Sequence, residues 1–147
     1  MKMPQYDDPY LLFGLLFILG NRLQTIGDQF YAEITSKQWF VMALIDTFAN
    51  HYPTINDLAD ASNTSHQNVK QIVMKLEKRG FVSLRVDPSD RRKLRIHTTR
   101  EWAQFKDRYH DKQAEFMERL FAGISPDMAK VTLTTLMALS ENMETMG

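Results

Sequence analysis

The chain has 147 residues, of which 44% are hydrophobic and 24% charged, with 18 basic against 18 acidic side chains and no cysteine. Those values describe one soluble globular domain's worth of sequence, long enough to bury a core. Zero net charge argues against a generic polyanion binder, and the missing thiols exclude disulfide frameworks, zinc-thiolate centres and cysteine redox chemistry.

The leader MKMPQYDDP is acidic and lacks the basic segment of a signal peptide. Asp8-Pro9 reads as a helix start, with aspartate at the cap and proline at the first helical position. The apolar run from Tyr10 to Leu19 is followed by Gly20, Asn21 and Arg22, which makes it too short for a membrane span of roughly 20 residues. A cytoplasmic protein with no membrane partner is expected. The helix should persist to about Phe30. Its apolar residues, from Leu11 and Leu12 through Phe13, Phe17, Ile18, Leu23 and Ile26, lie nearly all round it, so a second chain is expected to cover it.

Thr35 should cap a second helix from about Ser36 to Asn50, with Phe40, Leu44 and Phe48 on one side and Val41 and Ile45 close by; Tyr52-Pro53 is the expected stop. Thr54 opens a short helix, Ile55 to about Ala61, with Asp57 at near capping-box spacing and Ile55, Leu58 and Ala59 facing inward. The corner Ser62-Asn63-Thr64 follows, where Asn63 suits a left-handed backbone.

Thr64 or Ser65 then caps a helix reaching Arg79, with Gly80 as its stop. Val69, Ile72, Val73 and Leu76 form a narrow apolar seam at i, i+3, i+4 and i+7. The far side carries Gln67, Lys70, Gln71, Met74 and Lys78, flanked by His66, Asn68 and Lys75. Next the period changes to two. Val82, Leu84 and Val86 share one face of a strand, as do Leu94, Ile96 and Thr98 of a second, while Arg85, Lys93, Arg95 and His97 point the other way. Asp87-Pro88-Ser89-Asp90 is the turn between them, and Arg91, Arg92 and Lys93 form a basic tip. From His66 to Arg100 there are ten Lys and Arg against three acids, a net +7 that the rest of the neutral chain must offset. Such segregation is the mark of a phosphate-facing surface. Thr99 is the expected cap of a long amphipathic helix to about Ala122 bearing Trp102, Phe105, Tyr109, Phe116 and Leu120. Gly123 ends it, and Ser125-Pro126 starts a last, methionine-rich helix.

A short helix, a tight corner and a second helix with an aliphatic seam and a Gln, Asn, Lys and His face describe a helix-turn-helix; the hairpin after it makes it winged. Gln and Asn can bond bidentately to adenine, and Lys can reach guanine or phosphate. Arginines on a narrow ribbon can enter a minor groove or grip its phosphates, with Asp90 orienting one of them. The expected fold class is mostly α with a small β-hairpin: a winged helix-turn-helix domain flanked by N- and C-terminal dimerisation helices. The expected DNA contacts are Ser65, His66, Gln67, Asn68, Lys70, Gln71, Lys75, Arg91, Arg92 and Lys93.

These residues resemble the MarR family of bacterial winged-helix transcription regulators. The resemblance lies in Ile34-Thr35-x-x-Gln38, Leu58-Ala59, Val69, Leu76-Glu77-Lys78-Arg79-Gly80, Asp87-Pro88-x-Asp90-Arg91-Arg92 and Thr99. Ser62, Asn63 and Thr64 depart from it, standing where the family usually has a leucine, a glycine and a small aliphatic. After the wing, Thr98-Thr99-Arg100-Glu101-Trp102 replaces the usual Leu-Thr-x-x-Gly. The resemblance implies one domain over residues 1–147, with about 8–32 and 100–147 as dimerisation helices and about 35–99 as the DNA-binding lobe. It also implies a homodimer on a pseudo-palindromic double-stranded operator, acting as a repressor that answers to a small aromatic or amphipathic effector. Trp39, Phe40, Trp102 and Phe105 could line that effector's pocket, although aromatics at helical spacing are more often core. A winged-helix protein-interaction module that does not bind DNA is the alternative.

The sequence carries no Walker loop, HExxH, G-x-S-x-G or cysteine nucleophile, so no catalytic residue, cofactor or enzyme activity is expected. Asp107, His110, Asp111 and Glu115 have helical spacings that could hold a metal, but Lys106, Arg108 and Lys112 interleave with them, and a solvated helix face is the better reading.

Overall fold

The structure, a computed structural model, describes residues 6–147, so residues 1–5 of the leader lie outside the described residues. The described residues form α1 (Asp8–Tyr31), α2 (Ser36–Thr47), α3 (Ile55–Ser62), α4 (His66–Arg79), β1 (Val82–Val86), β2 (Leu94–Thr98), α5 (Arg100–Leu120) and α6 (Pro126–Glu144). The fold is mostly helical with one antiparallel hairpin, as the periodicities indicate. The chain divides between Gln104 and Phe105 into two compact units.

In the first unit α1 is capped by Asp7 rather than Asp8, with no side-chain capping bond, which moves Pro9 one place into the helix. The helix runs past Gly20 to Arg22 and ends at Tyr31, close to the expected Phe30. It continues for 24 residues, and by length and composition it is long and apolar enough to cross a membrane, so the expectation drawn from the shorter apolar run does not hold. One glycine flanked by good helix formers costs only about 1 kcal/mol, too little to end a long helix. Tyr31 is the buried residue of this helix.

Thr35 opens α2 through a full capping box: its Oγ1 accepts from Gln38 N at 3.1 Å, and Gln38 Oε1 accepts from Thr35 N at 3.0 Å. The helix ends at Thr47, short of Asn50, because Ala49 adopts a positive φ of 50° and turns the chain before Tyr52-Pro53 is reached. Of the apolar residues grouped on α2, Phe40 is 51% exposed, whereas Val41, Met42 and Ile45 are buried. Every position from Phe40 to Ile45 is apolar, so spacing alone leaves the inner face open; the packing of α3, α4 and β2 against α2 selects it.

A second capping box, Thr54 with Asp57, starts α3. Asn63 takes the left-handed conformation at the corner, φ 50° and ψ 43°, and Ser65, not Thr64, caps α4 by accepting from Asn68 N at 3.2 Å. Gly80, φ 85°, ends α4 with Phe81 N donating to Leu76 O at 3.0 Å, the satisfied C-terminus that a left-handed glycine permits. The hairpin pairs Val82 with Thr98, Leu84 with Ile96 and Val86 with Leu94, so the expected apolar face exists. It is buried at Val82 and Ile96 and open at its distal end, where Val86 and Leu94 are exposed. Leu58, Val69, Val73, Leu76, Phe81, Ile96 and Trp102 complete the core of this unit.

The second unit holds the rest of α5 and α6. Gly123, φ 78°, turns the chain between them, and Ser125 caps α6 by accepting from Met128 N at 3.2 Å. No residue of α6 is buried.

Candidate nucleic-acid interface

The two faces of α4 separate cleanly. Val69, Val73 and Leu76 are buried, whereas His66, Gln67, Asn68, Lys70, Gln71 and Lys75 are all exposed. The Ser65 hydroxyl is committed to the helix cap, so among the expected contacts it offers its position at the N-terminus more than its side chain. The outward positions follow from the 100° step: once the seam faces α2 and α3, the opposite flank must meet solvent. Glutamine, asparagine and lysine there present donors and acceptors matched to base edges and phosphates.

The hairpin tip is built by two aspartates. Asp87 is 7% exposed, and its Oδ1 accepts from Ser89 N at 2.7 Å and from Asp90 N at 3.3 Å, folding the turn. Asp90 Oδ1 accepts from Arg92 N at 3.1 Å and from Arg92 Nε at 3.3 Å. Arg91, Arg92 and Lys93 are exposed together at the tip, with the Arg92 side chain 92% exposed.

Sequence reasoning missed what Arg95 does. It was expected to point outward with Lys93, but it is only half-exposed: its Nε donates to Asp87 Oδ2 at 2.6 Å and its Nη1 to the Tyr52 carbonyl at 3.2 Å. Alternation places Arg95 correctly on the polar face, yet the residues that cover this face lie about forty positions earlier, beyond the reach of a local pattern. The Arg95 guanidinium, then the Ser89 amide, hold the Asp87 carboxyl below its ordinary range. Asp57 is lowered as well, first by the Thr54 amide. His97, on the same face, stacks on Tyr52 with ring centroids 3.7 Å apart, and burial, reinforced by Arg85, lowers its pKa. Arg79, another member of the basic stretch, pairs with Glu33 at 2.7 Å.

Each of the four aromatics expected at an effector pocket has its own neighbours. Trp39 stacks on Tyr31 at 5.8 Å, and Phe40 faces solvent. Trp102 packs on Phe81 at 5.6 Å while its Nε1 donates to Asp46. In the second unit, Phe105 pairs with Tyr109 at 4.5 Å. A cavity of about 190 Å³ in the first unit is lined by other residues, among them Asp46, Tyr52, Pro53 and Ile96. His110 and Asp111 are exposed neighbours at 3.1 Å, and among the described residues no acidic or histidine cluster is arranged to hold a metal.

Residues 34–94, from the first turn of the lobe to the far strand of the hairpin, match the model of the MarR family. Over that segment the chain is similar to the MarR family. A stretch of 60 residues in this chain is 35% identical to an uncharacterized HTH-type transcriptional regulator, YkoM, of Bacillus subtilis; the match covers 41% of this chain and 39% of that relative's length. A MarR protein from Peptoclostridium difficile superposes with a TM-score of 0.81 at 19% identity, over 99% of this chain and 94% of that one. Staphylococcus aureus MepR, in a DNA complex, gives 0.78 at 18% identity, over 94% and 99%. BpsR of Bordetella bronchiseptica gives 0.76 at 19%, over 93% and 98%. At these identities the likeness shows the MarR fold.

Proposed function

We propose that this protein is a homodimeric transcription regulator of the MarR type that binds a pseudo-palindromic double-stranded DNA operator. In this reading α4 lies in the major groove and the tip of the hairpin at a neighbouring minor groove or its phosphates. The observation that carries the reading is the division of α4, whose aliphatic seam is buried while Gln67, Lys70 and Gln71 stand exposed on its other side. The match of residues 34–94 to the MarR family supports the reading, as do the solved MepR–DNA complex and the regulation of BpsR's DNA binding by 6-hydroxynicotinic acid. A cytoplasmic repressor relieved by a small aromatic or amphipathic molecule is the form proposed.

The apolar surface left open favours a dimer. On α1, Tyr10, Phe13 and Phe17 are about two-thirds exposed, and on α6 so is Val131, with Leu133 and Met143 near 60%. Monomeric soluble proteins rarely leave such contiguous patches uncovered. We assign a second copy of the chain as the cover of α1 rather than a lipid bilayer. Two-fold symmetry would then set the half-sites about one helical turn apart, roughly 34 to 36 Å.

Titrating the full chain onto duplexes selected from random sequence, at several salt concentrations and without detergent, tests the proposal. A steep fall of affinity with salt and a symmetric selected site are expected. Weak, salt-insensitive binding would favour the protein-interaction reading, for which Met74, 48% exposed, would be the apolar anchor on α4.

A further inference from the structure

We infer that Arg95 is the positioning residue of the wing: it holds the hairpin against the loop between α2 and α3 and does not itself contact DNA. The inference rests on the DNA-binding reading above and deepens it. Arg95 stands directly across the hairpin from Arg85, a like-charge pair that is unfavourable unless one member is neutralised. Asp87 neutralises it, with Oδ2 at 2.6 Å from Arg95 Nε, and Asp57 Oδ2 lies 3.8 Å from Nη1. The same guanidinium donates to the Tyr52 carbonyl at 3.2 Å. Two further contacts fasten the strand to that loop: Ile96 N donates to Pro53 O at 2.9 Å, and His97 stacks on Tyr52. Arg95 is the member of this set that also reaches the root of the tip, because the other oxygen of Asp87 folds the turn that carries Arg91 and Arg92. One planar group therefore connects the loop before α3 to the turn that aims the basic tip. A lysine keeps the charge but lacks the fork that makes these bonds together.

The oxygens of Asp87 divide the labour, which makes Asp87→Asn a selective test. The amide oxygen can still accept from Ser89 and Asp90, while the NH2 group meets Arg95 as a donor facing donors. Removing an anion beside the interface would by plain electrostatics tighten DNA binding; loss of the positioning contact weakens it. For both Asp87→Asn and Arg95→Lys in the full chain, affinity for a duplex selected by the wild type is expected to fall about tenfold, the order set by one charge-assisted hydrogen bond. Amide hydrogen exchange at Asp87 and Lys93, which bond to Lys93 O and Asp90 O, is expected to accelerate in both variants. Unchanged exchange in both overturns the inference, whatever happens to affinity. Faster exchange with undiminished affinity overturns it too, since the wing's placement would not matter to binding. If the wild type selects no duplex, the regulator reading fails on its own, and exchange alone decides whether Arg95 holds the hairpin.

Discussion

Replacing Leu76 with alanine, alongside Gln71 with alanine, tests whether α4 has one face for the fold and one for a ligand. Leu76 has no exposed surface and lies in line with Val69 and Val73, themselves 1% and 0% exposed. Truncating a leucine so enclosed removes its transfer free energy and leaves a cavity; such changes cost about 2.7 to 5.0 kcal/mol. With a urea dependence of about 1 to 3 kcal/mol per molar, the unfolding midpoint should drop by on the order of 1 to 5 M at an unchanged slope. Protein concentration must be held fixed, because the stability of the proposed dimer would depend on it. Gln71 is exposed and sits mid-helix, so its alanine variant should unfold within about 0.5 kcal/mol of the wild type. It should nonetheless lose about 1 to 3 kcal/mol of binding at particular base pairs. If Leu76→Ala costs less than about 1 kcal/mol, or Gln71→Ala unfolds the protein as severely as Leu76→Ala, the assignment of the two faces is wrong.

Arg91→Ala and Arg92→Ala should each lower the slope of log affinity against log salt by about 1; if both slopes stay at the wild-type value, the hairpin tip is not part of the interface. At Gly27 an added Cβ would stand 2.7 Å from Ser36 Cβ, where Ser36 also bonds to Asp28, so Gly27→Ala should cost about 1 to 3 kcal/mol by overpacking the junction of α1 and α2. A melting curve identical to the wild type's would mean that this junction yields freely. Because the folded-state pKa of His97 lies below the ordinary 6.5, the unfolded chain binds the proton first and stability falls as pH drops from about 6.5 to the folded value, below which this loss is complete. Asp28, Asp57 and Asp87 add a separate loss at lower pH: their contributions are present above about 3.8 and disappear as pH falls through their lowered folded values. His97→Gln should therefore flatten the dependence of the urea midpoint between about pH 7 and 5, and an unaltered dependence would remove His97 as its source.

Local chemistry by itself determined the order of elements, the caps at Thr35 and Thr54, the left-handed corner at Asn63, the glycine stop at Gly80 and the change from a period of 3.6 to a period of two after α4. Each depends on residues within one or two turns of each other, so the pattern is readable without a partner. It also determined which flank of α4 is polar, because an aliphatic seam has a unique opposite side. Tertiary structure decided what local chemistry left degenerate. On α2, all six consecutive positions from Phe40 to Ile45 are apolar, and only the elements packed on it select Val41, Met42 and Ile45 for burial. On β2, Arg95 alternates outward like Lys93, and only the approach of Tyr52, Asp57 and Asp87 turns it into an internal tether. A charged side chain's role depends on which opposite charges fold within a few ångströms of it, and that proximity is set by long-range topology, not by its neighbours in the chain.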